Sequence, residues 1–357
     1  MELNTLLTEL VTHEGSDLHL VVGQPPVFRI HGTLTRGSEP ILDMAGMEAL
    51  LLPVLSEEQK GRLKHHHELE TVLRHNGRNF PLHIFRERRN LAATIRTGLQ
   101  EPPTLDDLYK ESSLTALFHK LITTPNGLIF VTGQAGSGKD TTCAAMLETI
   151  NRTANQRIVT LEDPINYEFV SKQSVITQRC VGQDVASWQQ GASAAFEEDL
   201  DIIFISSIHD RETLYTAFAL AESGHLVLAT LHCETVSEAI ARLIEVFPEP
   251  RDSVRRMLAR NLTAVIAQKL LRRTDRPGRI AANEVLLATP RVRQLIASGQ
   301  TDLTLAIEAG RDQGMMTMDD CLLQYYRNGF ISHETAWLHS REHDRLGSDP
   351  EGIPNAS

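Results

Sequence analysis

The chain has 357 residues, 41% hydrophobic and 23% charged, a globular balance with room for two domains that excludes wholesale disorder. Its 35 basic and 46 acidic side chains give a formal net charge of −11, which argues against nucleic acid as the main partner, because phosphate-backbone binding needs a concentrated basic surface. Four scattered cysteines (Cys143, Cys180, Cys233, Cys321) without CxxC spacing argue against a zinc site or disulfide framework and for reduced thiols in a cytosol.

Residues 1–97 read as a small α+β domain. Leu3, Leu6, Leu7, Leu10 and Val11 recur at the spacing of an amphipathic helix over Met1–Thr12. The start lacks the basic-then-apolar order of a signal peptide. Asp17–Val22 and Val27–Ile30 alternate as strands around the Gly23–Pro26 turn, and Phe80–Phe85 with Leu91–Ile95 form a second strand pair. Gly98, Pro102 and Pro103 break the pattern, so residues 98–112 are expected to be a linker.

From residue 113 to 345 strands alternate with helices, which predicts a parallel-rich sheet covered on both faces, an α/β fold. Leu128–Thr132, Ile158–Leu161, Ile202–Ile205 and Leu226–Leu231 are the buried strands expected, and Thr141–Ile150 is a helix. Ser253–Ala267 is predicted as a further helix with Val254, Met257, Leu258, Asn261, Leu262 and Val265 on one face. Residues 346–357, rich in Gly, Pro and Asp, are expected to be a flexible tail. The longest apolar runs, Leu128–Val131 and Leu226–Ala229, are too short to span a bilayer.

The chemistry concentrates in Gly133-Gln134-Ala135-Gly136-Ser137-Gly138-Lys139, set between a buried strand and a helix. A strand, glycine-rich loop and helix in that order make a phosphate cradle: glycines let backbone N–H groups approach the phosphates, and the helix N-terminus favours anions. The plain alternative is a glycine-rich turn without a ligand. Lys139 would reach the β- and γ-phosphates of ATP. The next position normally carries Ser or Thr to ligate Mg²⁺, and here it is Asp140, followed by Thr141. A carboxylate is a Mg²⁺ ligand in its own right, but it also brings negative charge towards a polyanion.

Ser16-Asp-Leu-His-Leu, Pro25-Pro26 with Arg29-Ile-His-Gly32, the P-loop, Leu161-Glu-Asp-Pro-Ile165, Gln178-Arg179, Ala221-Glu-Ser-Gly-His225 and Thr230-Leu-His232 occur in that order. With them the chain resembles the PilT/PilU family of type IV pilus retraction ATPases, within the secretion ATPase superfamily, over residues 3 to about 345. Pro290-Arg-Val-Arg-Gln-Leu-Ile296 and Gly314-Met-Met-Thr-Met-Asp319 are similar to two C-terminal boxes of that family.

The resemblance implies a PAS-like N-terminal domain and a RecA-like P-loop NTPase domain with a helical C-terminal part. It further implies a homo-hexamer, or a mixed hexamer with a paralogous pilus ATPase, on the cytoplasmic side of the inner membrane. Such a ring would be peripheral to the membrane only through its partner, the pilus platform protein. Residue by residue, it implies that Glu162 positions water near the γ-phosphate and that Asp201 is the acidic position before the second nucleotide-site strand. It makes His232 a γ-phosphate sensor supported by His225, and Arg96 a donor to a neighbour's phosphates. Taken singly, Glu162 reads as a solvated carboxylate and His232 as a satisfied core histidine.

Several positions depart from the family pattern. Where the family has Gly-Glu-(hydrophobe)-Arg-Asp the chain has Ser206-Ser207-Ile208-His209-Asp210, so the expected catalytic Glu is Ser207. Family arginines fall on Pro81, Ser193 and Glu197, with Arg86, Arg88 and Arg89 near Arg96 as substitutes. These losses point together towards weakened hydrolysis, and keep open a pseudo-ATPase adaptor or passive subunit of a mixed motor. A nucleic-acid-driven P-loop NTPase is disfavoured by the net charge and by the lack of aromatics among Lys269, Arg272, Arg273, Arg276 and Arg279, which read as a solvated hairpin around Pro277-Gly278. The run His65-His66-His67 with Glu70 falls short of a metal ligand set.

Overall fold

The computed structural model describes residues 2–30, 32–98, 101–110, 112–208, 210–245 and 251–347; His31, His209, Leu99 and Gln100 of the expected linker, and the tail beyond Gly347 lie outside the described residues. Two compact units emerge, one of Met1–Pro102 with Asp163–Phe169 and one of Pro103–Glu162 with Val170–Ser357.

In the first unit, β1 (Gly15–Leu20), β2 (Val27–Ile30), β3 (Thr33–Arg36), β4 (Glu68–His75), β5 (Arg78–Glu87) and β6 (Asn90–Arg96) form an antiparallel sheet in the order β3-β2-β1-β6-β5-β4. Helix α1 (Leu3–Thr12) buries the predicted stripe Leu3, Leu6, Leu7 and Leu10 in the same core as Leu18, Leu20, Phe28, Leu82, Ile84 and Ile95. Two more helices, α2 (Met44–Leu51) and α3 (Glu57–His66), complete it. Helix α3 opens on a capping box in which Ser56 and Gln59 satisfy each other's backbone N–H groups. The edge strands β3 and β4 were not expected. Every side chain of β3 is exposed, and β4 intersperses Glu68, Glu70 and Arg74 with its apolar residues, so neither shows a buried run.

The second unit holds β7 (Gly127–Thr132), β8 (Arg157–Glu162), β9 (Val175–Cys180), β10 (Ile202–Ile205), β11 (Leu226–Leu231), β12 (Leu262–Arg272) and β13 (Arg279–Leu287). Their order is β13-β12-β7-β11-β10-β8-β9, parallel throughout except for β13 on β12. Strands β7, β10 and β11 are wholly buried, which is why they read as unbroken apolar runs. The predicted helix over Ser253–Ala267 is corrected. α10 (Arg251–Asn261) stops at Asn261, and from Leu262 the chain runs as β12 beside β7, pairing Val265 with Phe130. A strand buried on both faces carries no alternation, so its apolar residues also satisfied the helical template.

Within the expected linker, α4 (Leu105–Tyr109) is capped by Thr104 and Asp107 and buries Leu105 and Tyr109; α5 (Thr115–Ile122) follows. The long α6 (Lys139–Thr153) starts at the P-loop, and its buried Glu148 accepts from Arg152 Nε at 2.6 Å, Asn151 Nδ2 at 3.0 Å and Lys172 Nζ. Beyond β9 come α7 (Trp188–Ala194), α8 (Arg211–Glu222) and α9 (Val236–Glu245). The C-terminal part is helical, with α11 (Pro290–Ala297), α12 (Thr304–Ala309), α13 (Met318–Arg327) and α14 (His333–His339). The hairpin β12–β13 forms as expected, but Arg273 is not solvated. It is 8% exposed, makes a two-pronged pair with Asp275 at 2.6 and 2.8 Å, and lies over the Phe330 ring at 4.9 Å.

Candidate functional site

The loop leaves the carboxyl end of β7 and enters α6 at Lys139. Gly136 and Gly138 take φ of +77° and +82°, so the backbone itself requires glycine there. At Gly133 space decides: an added Cβ would lie 2.3 Å from Ser137 Oγ and 2.5 Å from the Gln268 carbonyl oxygen. Gly138 caps α6 without any side-chain hydrogen bond, leaving the first N–H groups of the helix facing the loop. Lys139 is 4% exposed. Ser137 Oγ is buried without a partner among the described residues. A loop with glycines at two left-handed positions, an orphaned hydroxyl and a helix N-terminus fits a bound phosphate chain.

Polar groups behind the loop hold it in place. Gln268, buried in the middle of β12, donates from Nε2 to the Ser137 carbonyl at 2.7 Å. Its Oε1 accepts from Thr142 Oγ1 at 2.8 Å and from the Tyr109 hydroxyl at 3.0 Å, and those two hydroxyls lie 2.9 Å apart. Thr132 ties the end of β7 to Cys233, two residues past β11, donating to the Cys233 carbonyl and accepting from its N–H, both at 2.9 Å. At the mouth, the Gln134 amide donates to Glu234, whose carboxylate lies 3.8 Å from Lys269 Nζ.

Parallel register brings three more expected residues to this edge. Leu161, Ile205 and Ala229 are paired across β8, β10 and β11, and Leu231 pairs with Thr132. Glu162, Ser207 and His232 therefore stand at the carboxyl ends of their strands, where open α/β sheets bind ligands. Glu162 is 4% exposed and its Oε1 accepts from Thr160 Oγ1 at 2.7 Å and Gln178 Nε2 at 3.1 Å. That is not a solvated carboxylate. His232 is exposed, so the core-histidine reading is set aside too. Ser207 is 8% exposed with its Oγ unpartnered among the described residues, between the Leu161 carbonyl that accepts from Ser206 N and the Thr230 carbonyl that accepts from Ile208 N.

Two expected residues do not join them. Asp201 precedes β10: its carboxylate accepts from Arg157 N at 2.7 Å, and its carbonyl accepts from Leu226 N at 3.0 Å. His225 precedes β11, its carbonyl accepting from Gly127 N at 3.1 Å and its ring lying 2.9 Å from Ser223 Oγ. Both therefore sit at the amino edge of the sheet, a strand length of roughly 13–20 Å from the loop at about 3.3 Å per residue. They fasten strand starts and do not belong to the nucleotide edge. Arg96 ends β6 in the first unit, exposed and 3.7 Å from Asp17. Ser193 and Glu197 are both exposed, on α7 and the turn after it.

Asp140 and Thr141 occupy the first turn of α6 and are half-buried. Burial, and then the Asp140 charge, push the thiol of Cys143 well above its ordinary range, which leaves it inert. Gln268, Tyr109, Thr142 and Glu234 were not anticipated. A glutamine inside the apolar run Ile266-Ala267-Gln268 is the signal that would have found the first of them.

The family model for type II/IV secretion system proteins matches residues 1–336. The chain is 35% identical over 339 residues to the type IV pilus retraction ATPase PilT of Pseudomonas aeruginosa, covering 94% of this chain and 97% of that protein. It is 34% identical to the type IV pilus ATPase PilU of the same organism, covering 95% and 89%. The crystal structure of the pilus retraction motor PilT with bound ADP superposes with a TM-score of 0.81 at 32% identity, covering 99% of each chain. No helix of the described residues is long and apolar enough to cross a membrane.

Proposed function

The chain belongs to the type II/IV secretion system protein family, and we propose that it is an ATP-binding ring-motor subunit of the pilus-retraction kind, with hydrolysis weakened by its own substitutions. The observation that carries this reading is the built phosphate cradle at the carboxyl edge of the sheet, backed by Gln268 and flanked by Glu162 and His232, in a chain similar to PilT along its whole length.

In this reading the N–H groups from Gln134 to Lys139 hold the β-phosphate and Lys139 neutralises the γ-phosphate. Bound Mg²⁺ would spread the phosphate charge; the position that would hold it carries Asp140, whose own negative charge opposes the phosphates. Glu162, held on one oxygen by Thr160 and Gln178, orients water, and His232 meets the γ-phosphate from β11. Ser207, where the family has Glu, offers no base at neutral pH, and losing a general base lowers rates by about 10²–10⁴. Arg96, donated by a neighbour's first unit, supplies the positive charge from outside. A ring, alone or mixed with a paralogous pilus ATPase, would act from the cytoplasm on an inner-membrane pilus platform protein.

The test is phosphate release with Lys139→Ala as the control for contaminants, alongside light scattering with and without an ATP analogue. Nucleotide-supported assembly with turnover at least about 100-fold below an intact relative is expected. A strict monomer in both conditions would overturn the motor reading. Nucleotide binding with no Lys139-dependent release at all would assign the chain to a passive place in a mixed ring.

A further inference from the structure

The amino edge of the seven-stranded sheet, opposite the P-loop edge, holds a cavity of about 370 Å³. Its floor is the start of β7 at Gly127 and of β12 at Thr263, and its wall comes from the end of α5, the end of α10 and the start of α11. Three cations line it, Lys120, Arg260 and Arg293, together with the hydroxyl residues Thr124, Thr263 and Thr289, and no Asp or Glu is among the lining residues. None of the three cations has an ion pair among the described residues. Glu222, outside the lining, accepts from the Asn261 amide at 3.0 Å.

We propose that this cavity binds a phosphate-bearing anion. In a chain of net charge −11, three cations that face one hollow with no carboxylate in its lining give it a local positive potential that draws an anion. Arg293 is held in place, donating from Nη1 to the carbonyls of Ala259 and, at 2.6 Å, Arg260. Its remaining guanidinium nitrogens have no partner among the described residues, and burial alone lowers its basicity, a penalty that a bound anion reverses. A tetrahedral phosphate has the acceptors to use three cations and three hydroxyls at once, where a carboxylate would leave most of them unmet. The rest of the lining includes Leu117, Leu121 and Leu287 and no aromatic ring, so the body of the ligand is small and aliphatic and not a stacked base. The phosphate of a small soluble ester and that of a glycerophospholipid headgroup share this chemistry.

The experiment uses the full chain with Lys139→Ala, which weakens the P-loop as a competing site. Calorimetric titration with glycerol phosphate, and co-sedimentation with phosphatidylglycerol vesicles, are compared with the same chain carrying Lys120→Gln and Arg260→Gln. Both residues are exposed, so folding is preserved, and an unchanged Tm without ligand checks it. Saturable binding that weakens at least about tenfold in the double substitution, and with rising salt, is expected. Capture by the soluble ester assigns the site to a metabolite, and capture by vesicles alone assigns it to a headgroup. Absence of saturable binding to either probe, or binding indifferent to the two substitutions, would overturn the proposal.

Discussion

Replacing Asp140 by threonine separates two effects that the native carboxylate combines. In the first turn of α6 a negative side chain complements the helix dipole, and its removal should cost the nucleotide-free protein about 0.5 kcal/mol. The same charge opposes the phosphates. Two unit charges about 4 Å apart at an effective dielectric of about 20 repel by roughly 4 kcal/mol, and salt and partial exposure reduce this to about 1.5–3 kcal/mol. Asp140→Thr should therefore lower Tm slightly and tighten ATP binding by roughly 10–100-fold, most strongly when Mg²⁺ is present to use the new hydroxyl. Calorimetric titration with Mg-ATP and with ATP plus chelator reads the second effect, and thermal denaturation the first. Turnover should stay low, because Ser207 is untouched. Ser207→Glu should act on turnover and leave binding nearly alone, and the double change should gain more than the two single changes together. Weaker Mg-dependent binding by Asp140→Thr would refute this reasoning and make Asp140 a metal ligand in its own right. Full activity from that change alone would show that Ser207 is not limiting.

Gln268→Leu strands the Ser137 carbonyl and the hydroxyls of Tyr109 and Thr142, so it should lower stability by about 2–3 kcal/mol and weaken ATP binding; an unchanged Tm would count against the pinned loop. Burial pushes the Glu148 carboxyl up, but hydrogen bonds from Lys172, Asn151 and Arg152 outweigh it and hold the group below its ordinary range. Because the folded value is depressed, the ionised group contributes stability above the ordinary glutamate range and loses it as pH falls through the folded value. Glu148→Gln should thus cost about 3 kcal/mol at neutral pH, and denaturant titrations should show that gap closing only in acid. Arg88 and Arg89 form the two-residue tip between β5 and β6 with φ of +49° and +70°, where Asn-Gly is preferred. Arg89→Gly should raise stability by about 1 kcal/mol, and a simultaneous fall in ATP turnover would mark Arg89 as a phosphate contact.

What could be read before any coordinates were known is what is local in the chain. A glycine-rich loop between an apolar run and a helix needs no distant contact to be read, because left-handed glycines and a helix N-terminus are written in consecutive residues. The runs Ile202–Ile205 and Leu226–Leu231 are strands to the residue, because burial on both faces forces unbroken apolar stretches. Strand β12 defeated the same logic: without alternation its residues fit a helix equally well, and only pairing with β7 decides. Gln268 went with it: a glutamine in an apolar run marks a buried polar group, but its partner, the Ser137 carbonyl of the loop, is known only once β12 lies beside β7.

Asp201 and His225 show the limit most clearly. Both stand next to the right strands, but a parallel sheet has two edges some 13–20 Å apart, and adjacency in sequence does not tell which edge a residue joins until strand direction and register are known. Register put Glu162, Ser207 and His232 at the carboxyl ends with the phosphate loop, and left Asp201 and His225 at the amino ends. The basic cavity on that amino edge was equally invisible, because Lys120, Arg260 and Arg293 are far apart in the chain and meet only where α5, α10 and α11 converge.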